Sequence, residues 1–235
     1  MRVRFEQYPT VIAGISERTD GSMIWGNRLP VTADIRQRRD RYFVREQIDP
    51  GRVVAGGVAH GTDVVAVNEQ HVGQYIPNKD ALITNTAGLY LAITVADCLP
   101  IYLFDPATRV IGIAHAGWRG TVAGILERVV ETFGQEFGAH PRTIQTLIGP
   151  HIQSCHFEIK EDVATQLDPG SIEARDGRMF GNLAREAELR LYNAGCRTIT
   201  IDERCTVCHA DRFFSARHDR GTPLRGMVAY IGLQR

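Results

Sequence analysis

The 235-residue chain has no long hydrophobic run and no excess of charge of either sign. No apolar stretch approaches the roughly 20 residues that a helix needs to cross a bilayer, and residues 1–6 lack the apolar segment of a signal peptide. Lys plus Arg and Asp plus Glu number 27 each, so the formal net charge is zero. We therefore expect a cytoplasmic protein that binds neither membranes nor nucleic acid.

Cysteine is also scarce, since the chain has only five, an odd number. This does not fit a small secreted scaffold held by many disulfides, so reduced thiols in a cytosol are the simpler interpretation. Internal repeats, low-complexity tracts and convincing linkers are absent as well. A chain of this length can bury a sizeable core as one large domain or as two small ones.

Apolar patterning predicts both strands and helices. The predicted strands cover residues 64–67, 91–95, 99–104, 110–114, 198–201 and 227–231. Helical spacing predicts one helix that opens at residues 117–120 and another over 182–194. Because these elements do not alternate in a clean βαβ rhythm, the pattern indicates an α+β fold.

Three short motifs each offer one soft or borderline metal ligand, namely His60, Cys98 and His115. Two imidazoles and one thiolate suit Zn²⁺, and three protein ligands leave the fourth position open, which is typical of a catalytic zinc site. Their separations are too long for a zinc finger, so the fold would have to bring them together. Spacing alone is equally consistent with a buried cysteine and two hydrogen-bonded histidines.

The surrounding motifs resemble a known family. Asp97-Cys98-Leu99-Pro100, followed by His115-Ala116-Gly117-Trp118-Arg119-Gly120, resembles the signature of the YfiH/YlmD family, once called the laccase domain or multicopper polyphenol oxidase family. Its later motifs are matched by Ile148-Gly149-Pro150, Cys155-His156-Phe157-Glu158, Cys205-Thr206-Val207-Cys208 and Phe213-Phe214-Ser215. The resemblance runs from about residue 16 to about residue 233. It implies one α+β domain over residues 1–235, with layered mixed β-sheets flanked by helices.

The same resemblance implies a zinc-dependent purine nucleoside phosphorylase that acts on adenosine, inosine and methylthioadenosine, with adenosine deaminase as a companion activity. His60, Cys98 and His115 would be both the metal ligands and the catalytic residues. Zinc in such a site lowers the pKa of bound water or positions a phosphate oxygen. The implied partners are a small-molecule nucleoside and phosphate, and the oligomeric state stays open.

Arg39 is the residue on which the family's substrate-binding arginine falls. Family members carry an Asn-Leu-Gly turn, an Asn-Arg pair and a Gln-Val-His-Gly motif, whereas this chain has Arg38-Arg39 at the pair and Val58 at the glutamine. The turn is lost around residues 23–25. A guanidinium suits oxyanions, so Arg39 is a candidate ligand for phosphate or substrate. A helix-surface arginine in the run 36–45 is an equally good interpretation.

The residues after His115 have their own alternatives. Gly117 and Gly120 would let a helix N-terminus approach a ligand closely, although ordinary turn chemistry explains them equally well. Thr121 is a candidate helix cap. We expect Trp118 to be a core anchor, and Arg119 to be a solvated or structurally paired arginine.

Two further cysteine motifs invite a second interpretation as a metal site. Cys205 and Cys208 form one Cys-x-x-Cys pair next to His209, and no partner pair lies at finger spacing. A thioredoxin-like role would need the motif at a helix N-terminus after a strand. Structural thiols are therefore favoured here, and packing is favoured for Cys155-His156.

Three rival functions remain open. Copper-dependent phenol oxidation needs many histidines in His-x-His pairs, and this chain has eight histidines and no such pair, although an adventitious copper could occupy the zinc site. In the second, Cys98 is a nucleophile activated by His115, as in a hydrolase of amide bonds that edits cell-wall precursors. The third is a non-catalytic metal-binding partner protein.

Overall fold

Two six-stranded sheets form the centre of the structure, and helices cover their outer faces. The structure is a computed structural model, and it describes residues 1–25, 32–220 and 223–234. Its mixed sheets and few helices confirm the predicted α+β class.

The structure contains five α-helices and fifteen strands within the described residues. The helices are α1 (Ala33–Arg45), α2 (Trp118–Ala123), α3 (Ile125–Phe137), α4 (Glu161–Ala164) and α5 (Leu183–Asn193). The strands are β1 (Arg2–Val3), β2 (Val11–Ile15), β3 (Val53–Gly57), β4 (Val64–Ala66), β5 (Tyr75–Pro77), β6 (Ala81–Thr84), β7 (Tyr90–Val95), β8 (Leu99–Asp105), β9 (Val110–Ala116), β10 (Gln145–Ile148), β11 (Glu158–Ile159), β12 (Ile172–Arg175), β13 (Arg178–Gly181), β14 (Thr198–Ile201) and β15 (Met227–Leu233).

Both large sheets mix parallel and antiparallel pairs. The first has the order β1-β2-β15-β7-β3-β5, in which β3 runs parallel to β5 and β7. The second has the order β14-β10-β8-β9-β6-β4, in which β14 runs parallel to β10 and β4 parallel to β6. The strands β11, β13 and β12 form a separate small antiparallel sheet in that order.

The strands near the ligand motifs are apolar on both faces because each face is covered. In β7, Leu91 and Ile93 belong to the core between the two sheets, whereas Ala92 faces the core beneath α1. In β8, Tyr102 belongs to the core between the sheets and Ile101 to the core beneath α3 and α5. Side chains that alternate between two buried layers give the continuous apolar runs seen in the sequence.

Helices complete a layered arrangement on each side. Tyr42 and Phe43 of α1 pack against Tyr230 on the outer face of the first sheet. Helices α3 and α5 pack against the second sheet through residues such as Val129 and Leu191. The predicted arrangement of layered mixed sheets flanked by helices is thus confirmed.

The helix predicted after His115 is in fact two helices. Gly117 is the N-cap of α2, which ends after six residues at Gly124, a left-handed C-cap with φ of 97°. Helix α3 then starts at Ile125. The predicted cap at Thr121 is wrong, because Thr121 lies buried inside α2. None of the helices in the described ranges is long and apolar enough to cross a membrane.

The packing of α3 against β9 can be tested with a matched pair of glycine substitutions. A Cβ added at Gly112 would lie 2.7 Å from the Phe133 ring, whereas one at Gly134 would meet nothing closer than 3.5 Å. Gly112→Ala should therefore lower the free energy of unfolding by about 1–3 kcal/mol through overpacking. Gly134→Ala should raise it by about 0.5–1 kcal/mol, because alanine loses less backbone entropy in a helix.

Urea unfolding of the two variants and the parent measures both free energies. Equal effects of the two substitutions would contradict the packing of Phe133 over Gly112.

Candidate metal centre

The three predicted ligands come together at one end of the two central sheets. Their ligand atoms all lie within 4.8 Å of one another. The rings of His60 and His115 have centroids 4.8 Å apart and stand at 90° to each other. His115 is buried, and His60 and Cys98 are half-buried. The fold therefore brings the three candidate ligands together, which their spacing in the sequence alone could not show.

Strand pairing accounts for most of this convergence. Cys98 occupies the tight connection between β7 and β8, and the next residues of β8 pair with the end of β9, with Pro100 opposite His115. His60 lies in the loop between β3 and β4, with a φ of 63°. Asp97 has a φ of 82°. One ligand, His60, and the residue before another, Asp97, thus have left-handed backbone without being glycine, which is typical of sites where local strain is held by surrounding contacts.

Asp80 holds both histidines in place. Its fully buried carboxylate accepts hydrogen bonds from the backbone amides of Ala59, His60 and Gly61 at 2.8–3.1 Å. It also lies 2.9 Å from Nδ1 of His115. Burial opposes ionisation of Asp80, but the hydrogen bonds from His115 and these amides hold its pKa below the ordinary value. With Nδ1 donating to Asp80, Nε2 of His115 is left for a metal.

Cys98 and His115 form a charge pair in the absence of metal. Burial disfavours the thiolate, but the charge of His115 and the hydrogen bonds from His115 and His60 lower the pKa of Cys98 to about 6. Burial likewise disfavours the imidazolium, yet Cys98 and Asp80 raise the pKa of His115 to about 9. A preformed thiolate is the form of cysteine that binds metals.

Gly117 is required by close approach rather than by an unusual backbone angle. It has an ordinary φ of −78°, but a Cβ there would lie 2.9 Å from Sγ of Cys98 and 3.3 Å from His60. A Cβ at Gly120 would lie 2.8 Å from the carbonyl oxygen of Gly61. Both glycines thus let α2 pack against the loops that carry His60 and Cys98, and the approach of this helix N-terminus to a bound ligand stays a prediction.

Asp97 links the Cys98 connection to a neighbouring part of the chain. Its carboxylate accepts hydrogen bonds from Oγ1 of Thr206 at 2.6 Å and from the backbone amide of Arg217 at 2.7 Å. Its carbonyl accepts the amide of Ile152. Three hydrogen bonds therefore hold Asp97 in its positive-φ conformation. They also fix the position of the backbone of the next residue, Cys98.

Two cavities meet at the ligands. We call the first, of about 180 Å³, the apolar cavity; besides the three ligands its walls are Ile24, Trp25, Val58, Thr94, Val95, Ala96, Ala216, Leu224, Arg225 and Gly226. We call the second, of about 260 Å³, the arginine cavity; besides His60 and Cys98 its walls are Ala96, Asp97, Trp118, Ile152, Phe157, Leu183, Ala216, Arg217 and Arg220. Open space on two sides of three soft ligands fits a site that keeps a position for substrate.

Arg39 is not a helix-surface arginine, so that interpretation is wrong. Its residue is only 6% exposed, its Nη1 donates to the carbonyl of Ile24 at 3.0 Å, and its guanidinium stacks 4.1 Å from the Trp25 ring. Desolvation lowers the pKa of Arg39 to about 10, which leaves the side chain charged at neutral pH. Arg38 instead contacts Ser22 and Asp34.

Arg39 lines a third space, the outer cavity, of about 430 Å³, together with Arg36, Asp40 and Gln74. The outer cavity and the apolar cavity share Trp25 as a wall. Arg39 is therefore a neighbour of the metal centre through Trp25 and not a direct lining residue of the cavities at the ligands.

Trp118 and Arg119 behave largely as predicted. Trp118 packs against the core beneath α3 and α5, and it also lines the arginine cavity. Arg119 is exposed and stacks over the Trp118 ring at 4.4 Å.

Sequence reasoning missed three arginines that line the two cavities at the ligands. Arg217, Arg220 and Arg225 all belong to the segment just before β15. This segment reaches the site because β15 pairs with β7, whose end leads to Cys98. A cluster of arginines directly before a fully apolar closing strand was the available signal.

The remaining cysteine motifs also converge. Cys155, His156, Cys205 and Cys208 place their ligand atoms within 4.8 Å of one another. Cys155 and Cys208 are exposed, so the favoured interpretation of packed structural thiols is wrong for these two. The spacing argument looked for a second Cys-x-x-Cys pair, whereas the side chains that lie next to Cys205 and Cys208 come from the Cys-His pair some fifty residues upstream.

A family model described as "Multi-copper polyphenol oxidoreductase laccase" matches residues 16–234. The chain belongs to this family. Among the relatives, purine nucleoside phosphorylase YlmD from Geobacillus stearothermophilus is 36% identical over 190 residues, which are 74% of this chain and 69% of that protein. A purine nucleoside phosphorylase from Deinococcus radiodurans is 42% identical over 180 residues, covering 75% of this chain and 68% of that protein.

Solved structures of the family share the fold. The Bacillus licheniformis hypothetical protein YfiH matches with a TM-score of 0.90 and 26% identity, over 99% of this chain and 96% of that chain. YlmD from Geobacillus stearothermophilus matches with a TM-score of 0.88 and 30% identity, over 98% and 94%. These likenesses confirm the predicted membership of the YfiH/YlmD family.

The copper chemistry in the family's description finds little support in the ligand set. Multicopper oxidases combine a mononuclear and a trinuclear site, both rich in histidine. Within the described ranges, two groups of side chains could hold a metal ion. The group with Cys98 contains two histidines, and the group with Cys205 contains one. Neither group has the histidines of a trinuclear copper site, although two imidazoles and one thiolate suit a single copper ion as well as zinc.

The pKa of Cys98 can be measured through its reactivity. In chelator-treated protein, the rate of Cys98 alkylation by iodoacetamide should rise through a midpoint near pH 6, because the thiolate is the nucleophile and its pKa is lowered to about 6. In His115→Gln the midpoint should move up toward the ordinary value near 9. Mass spectrometry of the peptide that contains Cys98 gives the rate at each pH.

A parent midpoint that stays near the ordinary value, or one that His115→Gln leaves in place, would rule out the charge pair.

Proposed function

We propose that this chain is a zinc-dependent purine nucleoside phosphorylase acting on adenosine, inosine and methylthioadenosine, with adenosine deamination as a companion activity. The observation that carries the proposal is the meeting of two cavities at His60 and Cys98, next to His115. The names of the relatives as purine nucleoside phosphorylases support the substrate class.

His60, Cys98 and His115 are the residues that would hold the metal. Their donor set of two nitrogens and one sulfur fits Zn²⁺ and leaves a position for a fourth ligand. A bound zinc ion would supply a Lewis acid that polarises a phosphate oxygen or a water molecule. Asp80 keeps the proton on Nδ1 of His115, which leaves Nε2 as the free donor.

The apolar cavity fits a purine base. Its wall contains Trp25 and the aliphatic side chains of Ile24, Val58, Val95 and Leu224. An indole ring gives a planar base a stacking surface, and the aliphatic residues exclude water from it. Trp25 is itself held by the stacked guanidinium of Arg39 and by a hydrogen bond from its amide to Thr94.

Arg225 is our candidate for binding phosphate in this cavity. Its Nε is buried and has no hydrogen-bond partner among the described residues. An unsatisfied buried donor costs about 1–3 kcal/mol, and an oxyanion ligand would remove that cost. Nη2 of Arg225 lies 3.7 Å from Asp219, which orients the side chain without using Nε.

Arg39 remains a candidate for gripping phosphate or substrate oxygens. Its guanidinium has five N–H donors, and its one recorded side-chain hydrogen bond to a described residue is the bond to Ile24. In the outer cavity it lies with a second arginine, Arg36. We infer that Arg39 contributes both charge and the orientation of Trp25.

The assay that tests the proposal separates phosphate from water as the acceptor. Purified protein with adenosine, inosine or methylthioadenosine should release free base and a ribose 1-phosphate only when phosphate is present. Adenosine should in addition release ammonia, which reports deamination. Turnover should fall with chelation and return with added Zn²⁺, because the metal ligands are preformed.

Equal base release with and without phosphate would make the protein a nucleoside hydrolase. Absence of turnover of all three nucleosides in zinc-loaded protein would overturn the proposal.

Arginine replacements test how phosphate is bound. Arg225→Ala should raise the KM for phosphate about tenfold or more, because hydrogen bonds to charged groups contribute about 1.5–3 kcal/mol. Arg39→Ala should raise the KM for phosphate or nucleoside, with zinc content and fold unchanged. Arg39→Lys keeps the charge and should recover part of the loss.

Arg128→Ala is the matched control, since Arg128 is exposed on α3 and its ion-pair partner among the described residues is a surface carboxylate, Glu131. Unchanged KM values for both substrates in Arg39→Ala would end its assignment to substrate binding.

A second candidate function rests on the charge pair between Cys98 and His115. A thiolate beside an imidazolium is the resting form of many cysteine hydrolases. That function predicts that metal-free protein hydrolyses a peptide-type amide and that zinc inhibits it. Parallel titrations of zinc into adenosine and amide assays decide between the two, since activity must rise with metal in one and fall in the other.

A further inference from the structure

We propose that Cys155, His156, Cys205 and Cys208 bind a second zinc ion in a closed, structural site separate from the candidate catalytic ligands. This inference is independent of the proposed function. It rests on the geometry of the four side chains and on the two chain segments that they join.

The interatomic distances match a tetrahedral zinc. Zn–S bonds of about 2.3 Å and Zn–N bonds of about 2.0 Å place two sulfurs about 3.8 Å apart and a sulfur and a nitrogen about 3.5 Å apart. Here Sγ of Cys155 and Sγ of Cys208 are 3.6 Å apart. Nδ1 of His156 lies 3.2 Å from Sγ of Cys155, 3.7 Å from that of Cys205 and 3.5 Å from that of Cys208.

The donor set also matches a structural zinc site. Three sulfurs and one nitrogen are a common ligand set of closed zinc sites, in which every position is taken by protein. Cys205 and Cys208 have the two-residue spacing that lets one turn supply two ligands. His156, and not the neighbouring His209, supplies the imidazole, since Nδ1 of His209 contacts the backbone carbonyl of Cys205.

The four proposed ligands differ in exposure. Cys205 is the one buried cysteine among them. The exposed ligands on the other side leave a path by which the ion enters.

The proposed ion would join two turns. One turn follows β10 and carries Cys155-His156, and the other follows β14 and carries Cys205 and Cys208. Backbone hydrogen bonds from Asp202 to Ile148 and from Thr206 to His151 already bring these segments together. A zinc ion would add a cross-link at their tips.

The second site lies directly behind the wall of the candidate active site. Thr206, between the two cysteines of the turn, donates to Asp97, and Arg217 donates to both Asp97 and the carbonyl of His156. Asp97 precedes Cys98 in the chain. The structural ion would therefore hold the residues that position Asp97.

Metal analysis of site-specific variants tests the inference. Protein purified under reducing conditions should contain about two zinc ions per chain, and Cys98→Ala should retain about one. Cys208→Ser in the Cys98→Ala background should lose that remaining ion. His156→Ala should weaken its binding, and the matched control His209→Ala should leave the zinc content unchanged.

Cobalt substitution gives a readout that does not depend on altering the four ligands. Co²⁺ in Cys98→Ala protein should show intense thiolate-to-metal charge-transfer bands and the visible bands of tetrahedral geometry. Zinc-loaded Cys98→Ala protein should resist alkylation at Cys155 and Cys208, and a chelator should expose both together.

Three results would overturn the proposal. Cys98→Ala protein that contains no zinc and gives no tetrahedral cobalt spectrum has no second site. An intact mass that shows a Cys155–Cys208 disulfide under reducing purification means that these thiols form a redox pair instead. Loss of the second zinc from His209→Ala but not from His156→Ala would mean that the ligand set is wrong.

Discussion

The buried carboxylate of Asp80 is the constraint on which the candidate metal centre depends. Its oxygens accept hydrogen bonds from the backbone amides of the His60 loop. The same carboxylate contacts Nδ1 of His115. Its own position is set by the adjacent strand β6, which pairs with β9 through Ala81 and Ala114. A shift of one residue in that register would turn His115 away from the site. The sheet pairing and the ligand geometry are thus one arrangement.

Backbone strain at the centre is balanced by contacts from separate parts of the chain. His60 and Asp97 both have positive φ without being glycine, a conformation that costs about 1–3 kcal/mol per residue. Asp80 compensates for the first through three amides, and Thr206 with Arg217 compensates for the second. The site is therefore preorganised by its neighbours, as binding and catalysis of small charged molecules require.

The α+β class and several strands could be predicted from the apolar runs in the sequence. The layered sheets and the grouping of His60, Cys98 and His115 followed from the family resemblance instead. The role of Asp80 could not be predicted, because a single aspartate in a loop belongs to no sequence pattern that indicates three amide partners. The arginine cluster before β15 was visible in the sequence, but the position of Arg225 near Cys98 depends on the pairing of β15 with β7. The burial of Arg39 follows from its contact with Trp25, which no periodicity along α1 encodes. The prediction of packed thiols was wrong for Cys155 and Cys208, because residues so far apart in the sequence give no local pattern that shows that they lie together.

The placement of β15 also has a consequence for synthesis. This strand, residues Met227–Leu233, inserts between β2 and β7 near the middle of the first sheet. During translation the first sheet has a gap at that place until the strand has left the ribosome, whereas the inner strands β6, β8, β9 and β10 of the second sheet come from residues 81–148 and pair much earlier. A domain generally folds as a unit, so this one cannot complete its first sheet before β15 emerges. The nascent chain therefore exposes unpaired edges of β2 and β7 for most of its elongation, and chaperones that shield such edges have their longest opportunity there.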